Sequence, residues 1–303
     1  MIKFSIVIPI KNPGDWLVRS LDGIRKQRGQ LQNLEVILLN SGEEQSCIVE
    51  LFPDIQIREI TIDPSTFNHG ATRNVGVQEA TGEVVVFTVQ DAAFCTGEEL
   101  GSWGEAFEQN PTLSAVSGYQ SVEHIPQNNP AHWYRPQSVG ALTITQLNPG
   151  IWDELPYLDQ RKLCSLDNVV CAYRKQCLLD SPFDEIMYGE DIEWGKRAIL
   201  RGDILGFHGA IRVWHHHNDS IPYIVDRLRW THYIEQKLFG QSYIQLEWYN
   251  FRHLYLILTA DNLGWMKRAQ WAFLDIGYYA VKQVCILLGL HKKNRSKVLV
   301  GNQ

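Results

Sequence analysis

The 303-residue sequence has six cysteines but no C-x-x-C pair and no regular cysteine spacing. Zinc ribbons and disulfide frameworks depend on such spacing, so we interpret the cysteines as reduced thiols of a cytosolic protein. An excess of positive charge is also missing. The formal net charge is −6, which argues against a general nucleic-acid binder with a basic face.

Long apolar runs are absent as well. The apolar run over residues 284–290 is bounded by Lys282, Gln283 and His291, and it falls short of the ~18 residues that a membrane-spanning helix needs. The first residues enter a strand pattern without a charged segment and a cleavage site. We therefore expect neither a spanning helix nor a secretory signal.

Apolar runs over residues 4–10, 35–39, 55–62 and 84–89 alternate with helical patterns. This alternation predicts an α/β fold with a doubly wound, mostly parallel sheet. A helix over residues 98–109 and a strand over 113–119 extend the sheet. Residues 123–167 lose this regularity, which is typical of a binding loop within a compact domain.

From residue 221 the pattern becomes helical and aromatic, so we predict a domain over residues 1–220 and a helical region over 221–303. Residues 264–303 carry seven lysines and arginines but only one acid, Asp275. The aromatic residues either pack within this region or face a membrane; the two readings stay balanced for residues 221–263. For residues 264–299 the basic charge favours an anionic membrane surface.

Asp91 follows the fourth strand pattern, at the position where open α/β sheets bind ligands. His69 and Arg73 lie near the start of a helix, where the helix dipole disfavours cations and an anion such as a diphosphate can bind. Each residue alone also fits a plainer role, Arg73 as a solvated surface residue and Asp91 in a turn. Together they favour a nucleotide site.

Glu190 and Asp191 open a later helix, where acids can simply cap free N–H groups. If Asp191 faces the same cleft as Asp91, it can act as a general base. His215 and His217 alternate along a presumed strand, so both project from one face. They are polar strand-end residues or, with Asp91, ligands of Mn²⁺ or Mg²⁺.

Six segments in this order resemble the family 2 glycosyltransferases with the GT-A fold, and most of all the bacterial rhamnosyltransferase group. These segments, which lie between residues 2 and 233, are Ser5-Ile6-Val7-Ile8-Pro9, Phe67-Asn68-His69-Gly70-Ala71-Thr72-Arg73-Asn74, Thr88-Val89-Gln90-Asp91-Ala92, Asn168 with Ala172-Tyr173-Arg174, Gly189-Glu190-Asp191-Ile192-Glu193-Trp194 and Val213-Trp214-His215-His216-His217.

The resemblance implies an inverting glycosyltransferase at the cytoplasmic membrane face. It would move a sugar, L-rhamnose from dTDP-rhamnose in the best-supported version, with a UDP-sugar as the other donor class. The acceptor would be a surface polysaccharide or a lipid-linked oligosaccharide. Its nucleotide-sugar contacts would be Pro9, Ile10, Asn12, Asn40, Ser41, His69, Arg73, Gln90 and Asp91.

The same resemblance assigns the base role to Asp191, supported by Glu190. Asp91 would hold a divalent metal ion, Mn²⁺ or Mg²⁺, with His215 or His217 as a further metal or phosphate ligand. Asn40 and Gln90 stand where many relatives carry an acid. These departures keep two alternatives open, a nucleotide-sugar binding module or inactive partner subunit and, on a related sheet, a sugar nucleotidyltransferase.

Overall fold

The computed structural model describes residues 2–29, 31–42, 47–133, 140–215 and 220–292. These residues form two compact units. Residues 2–121 and 140–215 belong to the first, which we call the sheet unit, and residues 122–133 and 220–292 belong to the second, the helical unit. The boundary predicted at residue 220 therefore differs in one respect, because residues 122–133 join the C-terminal helices.

The described part of the sheet unit contains one nine-stranded sheet. In chain order its strands are β1 (Phe4–Ile10), β2 (Leu34–Asn40), β3 (Gln56–Thr61), β4 (Val84–Phe87), β5 (Ala93–Phe94), β6 (Leu113–Ser121), β7 (Leu142–Thr145), β8 (Cys171–Arg174) and β9 (Ile204–Trp214).

The helices of the described chain are α1 (Asp15–Arg25), α2 (His69–Glu79), α3 (Glu99–Gln109), α4 (Pro130–Trp133), α5 (Tyr157–Leu163), α6 (Lys175–Asp180), α7 (Glu190–Arg201), α8 (Ile221–Phe239), α9 (Phe251–Leu258) and α10 (Trp265–Leu287). Short 3₁₀ helices are Leu31–Asn33, Cys47–Leu51, Pro64–Thr66, Pro149–Glu154 and Leu290–Lys292. Of the helices in the described chain, α4, α8, α9, α10 and the 3₁₀ helix Leu290–Lys292 belong to the helical unit.

The strand order is β3-β2-β1-β4-β8-β6-β9-β5, with β7 also paired to β9. The pairs of β1 with β2, β1 with β4, β2 with β3 and β6 with β9 are parallel, whereas β8 runs antiparallel to both β4 and β6. The mostly parallel sheet is thus as predicted. The strand presumed to carry His215 and His217 is β9, which ends at Trp214, one residue before His215.

Apolar side chains explain why the central strands lie inside. Every residue of β2 is buried, and β1 is buried except at Pro9. Runs of β-branched and leucine side chains suit strands that are covered on both faces. Ile6, Val36 and Trp103 belong to the core between the sheet and its helices.

The helical unit has its own core, which includes Trp133, Ile257 and Trp271. Hydrogen bonds from Trp271 Nε1 to the Pro126 carbonyl (3.1 Å) and from Asn129 Nδ2 to Asp275 Oδ1 (3.0 Å) tie residues 122–133 to α10. These contacts explain why that segment groups with the C-terminal helices. Among the described residues, no helix combines the length and apolarity that membrane crossing requires.

Candidate active site

Most of the residues selected from the sequence lie at one edge of the sheet, where the parallel strands end. β1 ends at Ile10, β2 ends at Asn40, and β9 ends one residue before His215. Asp91 follows β4 within a turn. The antiparallel β8 begins at this edge, so Asn168, which precedes it, lies there too. Ligands of open α/β sheets bind at this edge.

Close packing brings the start of α7 next to the start of α2. A Cβ atom on Gly70 would collide with the carbonyl oxygen of Asp184, so only glycine allows this approach. The side-chain amide of Asn74 donates to the Phe183 carbonyl (2.9 Å) and accepts from the Phe183 N–H (3.0 Å). Gly189 then adopts a left-handed φ of 77° as α7 begins.

The result is a buried ion pair between two helices. Arg73 Nη1 lies 2.9 Å from Glu190 Oε1, and both side chains are almost fully buried. The same guanidinium nitrogen lies 3.3 Å from His69 Nδ1 and from the His69 carbonyl. An anion was expected beside this helix start, and Glu190 supplies one from within the protein. A direct contact of Arg73 with a diphosphate stays a prediction.

Burial and charge set the protonation states of this cluster. Burial, aided by the charge of Arg73, lowers the pKa of His69 to about 4, so its imidazole is neutral at pH 7. Burial alone would raise the pKa of Glu190. The charge of Arg73 and a hydrogen bond from Asn168 nevertheless hold that pKa below its ordinary value.

Asn168 connects the buried ion pair to Asp191. Its side-chain Nδ2 donates to Glu190 Oε1 (2.9 Å), and its Oδ1 accepts from the Tyr173 hydroxyl (2.8 Å). Its backbone N–H donates to Asp191 Oδ2 (3.0 Å). Asn168 is itself buried, so these hydrogen bonds fix both carboxylates with respect to the start of β8.

Asp191 has the properties of a general base. Its two oxygens accept from the backbone N–H groups of Asn168 and Ile192, at 3.0 and 2.8 Å. Burial, together with the charges of Glu190 and Asp167, raises the pKa of Asp191 to about 7. A carboxylate with a pKa near the working pH is well matched to accept a proton from a hydroxyl.

A second set of polar contacts holds His215 beside Asp91. The His215 Nε2 atom lies 3.5 Å from Asp91 Oδ1, and its Nδ1 lies 2.9 Å from Gln120 Oε1. The Gln120 Nε2 donates to Asp167 Oδ2 at 2.6 Å. The Gln120 oxygen is placed to accept a hydrogen bond from Nδ1–H, and in the neutral tautomer that makes this bond the Nε2 lone pair faces Asp91.

This arrangement fits a hard divalent cation with two protein ligands, Asp91 and His215, because Mg²⁺-type sites complete their shell with phosphate oxygens and water. Within the described residues, no group of three His, Cys, Asp or Glu side chains forms a metal-binding cluster. His217, the other predicted ligand, lies outside the described residues.

The side-chain amide of Gln90 bonds the backbone of Lys11, in the loop after β1. Its Oε1 accepts from the Lys11 backbone N–H (2.8 Å), and its Nε2 approaches the Lys11 carbonyl (3.3 Å). The amide thus clamps the loop after β1. An aspartate at this position could not donate to the Lys11 carbonyl, and its side chain is shorter than that of glutamine. A contact of Gln90 with the nucleotide sugar stays a prediction.

The loop after β1 adjoins five of the predicted nucleotide-sugar contacts, Pro9, Ile10, Asn12, Asn40 and Ser41, which the family resemblance assigns to the pocket for the nucleotide base. Ser41 donates both its backbone N–H and its hydroxyl to the Ile10 carbonyl. The Asn40 Oδ1 accepts from the Gly42 N–H, while its Nδ2 donates to Glu59 (2.7 Å each).

Around these contacts, Pro9 is half-buried in β1, and the exposed Asn12 has a left-handed φ of 46°. The five predicted pocket residues therefore adjoin one another at the ends of β1 and β2. Their contacts with a base stay predictions.

A model of the family described as glycosyl transferase family 2 matches residues 5–177, which is more than half of the sequence. This match identifies the family of the chain. The chain belongs to glycosyl transferase family 2. It is therefore a glycosyltransferase, and the match sets aside a sugar nucleotidyltransferase.

Two bacterial relatives point to one group within family 2. The chain is 27% identical over 220 residues to the O-antigen chain rhamnosyltransferase RfbN of Salmonella typhimurium, a match that covers 72% of this chain and 67% of the relative. It is also 27% identical over 231 residues to the O-antigen chain rhamnosyltransferase WbaN of Salmonella anatum, with the same shares covered.

Solved structures confirm the predicted GT-A fold. Residues 1–349 of S. aureus TarS, in complex with UDP-GlcNAc, match with a TM-score of 0.58, 15% identity and coverage of 95% of this chain and 92% of that one. The mannosyltransferase PcManGT from Pyrobaculum calidifontis, in complex with GDP-Man and Mn²⁺, matches with a TM-score of 0.58, 14% identity and coverage of 95% and 88%.

Sequence reasoning missed two residues of the candidate site, Gln120 and Asp167. Gln120 lies on β6 and meets His215 because β6 pairs in parallel with β9, with Gln120 opposite Val213. No local motif marks either residue. The available signal was that Asp167 immediately precedes Asn168, a residue that the family resemblance already singled out.

Proposed function

We propose that this family 2 enzyme transfers L-rhamnose from dTDP-rhamnose to a hydroxyl group of a surface polysaccharide or lipid-linked oligosaccharide, with inversion at the anomeric carbon. The proposal is supported by the resemblance to O-antigen chain rhamnosyltransferases. TarS and PcManGT were solved with UDP-GlcNAc and GDP-Man, which supports a nucleotide-sugar donor of the same chemical class.

The observation that carries the proposal is the position of Asp191, a carboxylate held by two backbone N–H groups with a pKa of about 7. Asp191 takes the proton of the acceptor hydroxyl while the oxygen of that hydroxyl forms a bond to the anomeric carbon. The bond from that carbon to the diphosphate oxygen breaks, and the nucleoside diphosphate leaves with the electron pair. One displacement of this kind inverts the configuration.

Asp91 and His215 would hold a divalent cation, Mn²⁺ or Mg²⁺, which supplies charge neutralisation at the departing diphosphate when it is bound. Within the protein, Gln120 keeps the His215 Nε2 lone pair turned toward Asp91. Glu190 neutralises Arg73. Asn168 bonds both Glu190 and Asp191, so it connects this ion pair to the base.

We also propose that the enzyme works at the cytoplasmic face of the membrane, because a lipid-linked acceptor is confined to that surface. The basic charge of residues 264–303 supports this location.

The test is transfer from radiolabelled dTDP-rhamnose to a lipid-linked acceptor, with UDP- and GDP-sugars as competitors. We expect Asp191→Asn to lower kcat by a factor of about 10² or more and to leave donor affinity nearly unchanged, because the base acts only in the transition state. The matched control is Asp159→Asn, an exposed carboxylate of α5, which should retain full activity. Full activity of Asp191→Asn would remove Asp191 from the base role.

A further inference from the structure

The longest helix of the helical unit, α10, has an outer face without charge. Its exposed residues recur at helical spacing and therefore share one face. They are Trp265, Met266, Ala269, Gln270, Phe273, Ile276, Gly277, Ala280, Val284 and Leu287. None is ionisable, whereas the solvent-facing side of an ordinary surface helix carries mainly charged and polar residues.

The charged residues of α10 lie outside this face, and most of them contact other parts of the helical unit. Lys267 lies over the Trp271 ring (5.4 Å), and Arg268 donates to the carbonyls of Leu258 and Leu263 (2.8 Å each). Lys282 pairs with Glu247 at 2.8 Å, and the buried Asp275 accepts hydrogen bonds inside the unit. The outer face of the helix therefore carries no charge, and the charged residues share the rest of the helix with apolar core residues such as Trp271.

The size of this face is that of an interaction surface. The 23 residues of α10 extend over about 34 Å. Trp265 and Phe273 are each 77% exposed and Leu287 is 67% exposed. Monomeric proteins rarely leave a contiguous apolar surface of this extent uncovered.

The neighbouring segment adds exposed aromatic residues of the same kind. Trp248 is 96% exposed, and Phe251 and Tyr255 of α9 are 75% and 66% exposed. Helix α9 packs against α10 within the helical unit. Aromatic rings are enriched where proteins meet the headgroup layer of a bilayer.

Charge and shape favour a membrane over a second copy of the chain. The last twelve residues of the sequence contain Lys292, Lys293, Arg295 and Lys297 and no acid, which complements anionic lipid headgroups. The exposed residues of α10 span an arc of roughly 140° at 100° per residue, whereas a coiled-coil seam is narrower. The four charged residues of α10 do not suit a helix that crosses the bilayer.

We propose that the outer face of α10 is a docking surface for an anionic phospholipid membrane. In the docked state α10 lies parallel to the membrane plane with Trp265, Phe273 and Leu287 among the acyl chains. This surface deepens the proposed function, since it would hold the enzyme where a lipid-linked acceptor is found.

The test is flotation of the full chain with vesicles of phosphatidylcholine and phosphatidylglycerol, compared with vesicles of phosphatidylcholine alone. We expect preferential binding to the anionic vesicles. The double variant Phe273→Asn/Leu287→Asn should reduce the partition coefficient by about tenfold or more, because two large apolar groups no longer leave water. Gln270→Glu, which adds a negative charge to the same face, should weaken binding as well.

The matched control is Leu51→Asn/Leu158→Asn, which removes two apolar residues of similar exposure, 61% and 64%, from the sheet unit. It should bind vesicles like the parent. Unchanged binding of the Phe273/Leu287 variant would overturn the docking surface. The proposal would also be overturned if light scattering shows that the parent protein is a dimer and that the Phe273/Leu287 variant is a monomer, because the face would then bind a second copy of the chain. The rise in melting temperature on donor addition is measured in parallel, because it shows whether the sheet unit binds the donor. A loss of vesicle binding can then be distinguished from a failure of the proposed reaction.

Discussion

The pKa of Asp191 is subject to two opposing influences, hydrogen bonds to its carboxylate and burial beside other acids. Two backbone N–H groups stabilise its charged form, yet burial and the neighbouring charges of Glu190 and Asp167 raise its pKa to about 7. The residue is therefore partly protonated at neutral pH, and its ability to accept a proton depends on pH within the physiological range.

We expect kcat to rise with pH through about 7, because only the ionised form of Asp191 accepts a proton. Activity should be lost as the pH falls below that value and reach a plateau above it. The measurement is a kcat–pH profile at saturating donor and acceptor. A profile that stays flat from pH 6 to 8 would show that another group, or none, limits the reaction in this range.

Gln120 acts behind the predicted metal ligand His215. Its Oε1 lies 2.9 Å from the Nδ1 atom of His215 and so favours the tautomer with the proton on Nδ1. We expect Gln120→Leu to weaken Mn²⁺ binding in the presence of dTDP by roughly tenfold or more, as loss of a partner behind a ligand does at other metal sites. Mn²⁺ affinity can be measured by electron paramagnetic resonance.

Gln109→Leu is the control for this substitution, because Gln109 bonds only to an exposed glutamate of its own helix. It should bind Mn²⁺ like the parent. Parent-like affinity of Gln120→Leu would mean that the His215 tautomer does not depend on Gln120.

At the scale of elements, α2 and α7 are joined by a buried ion pair. Removing one partner of such a pair leaves an uncompensated charge away from water, so we expect Arg73→Met to lower the free energy of unfolding by about 3–5 kcal/mol. Urea denaturation measures this change.

The pair of Arg28 and Glu98 is the matched comparison, because it joins the same residue types at the surface. Removing Arg28 from that pair should cost about 1 kcal/mol or less. Equal losses for both variants would show that burial of the Arg73–Glu190 pair does not matter.

The sequence predicted the strands well wherever an apolar run defined them. The run over residues 4–10 is β1, and the run over 84–89 contains β4, which ends two residues earlier. The direction of β8 could not be predicted, since its four residues carry no sign of an antiparallel neighbour. The partner of Arg73 was hidden for a similar reason, because 117 residues separate it from Glu190 in the sequence.

The whole chain combines two units with separate cores, so a ligand of one should not stabilise the other equally. Asp275, buried in the helical unit, accepts from Asn129 and the Tyr249 hydroxyl and lies 3.5 Å from His253 Nδ1. We expect Asp275→Asn to lower the melting temperature of the helical unit and to leave the donor-induced shift of the sheet unit intact. Scanning calorimetry with and without dTDP-rhamnose checks this, and loss of the donor shift would contradict it.

Asp167 and Asn168 are consecutive, yet one reaches His215 through Gln120 and the other holds Asp191 and Glu190. A single peptide unit therefore connects the proposed cation ligand His215 to the proposed base Asp191. Any change that displaces this peptide, including an altered loop just upstream, should disturb both side chains together.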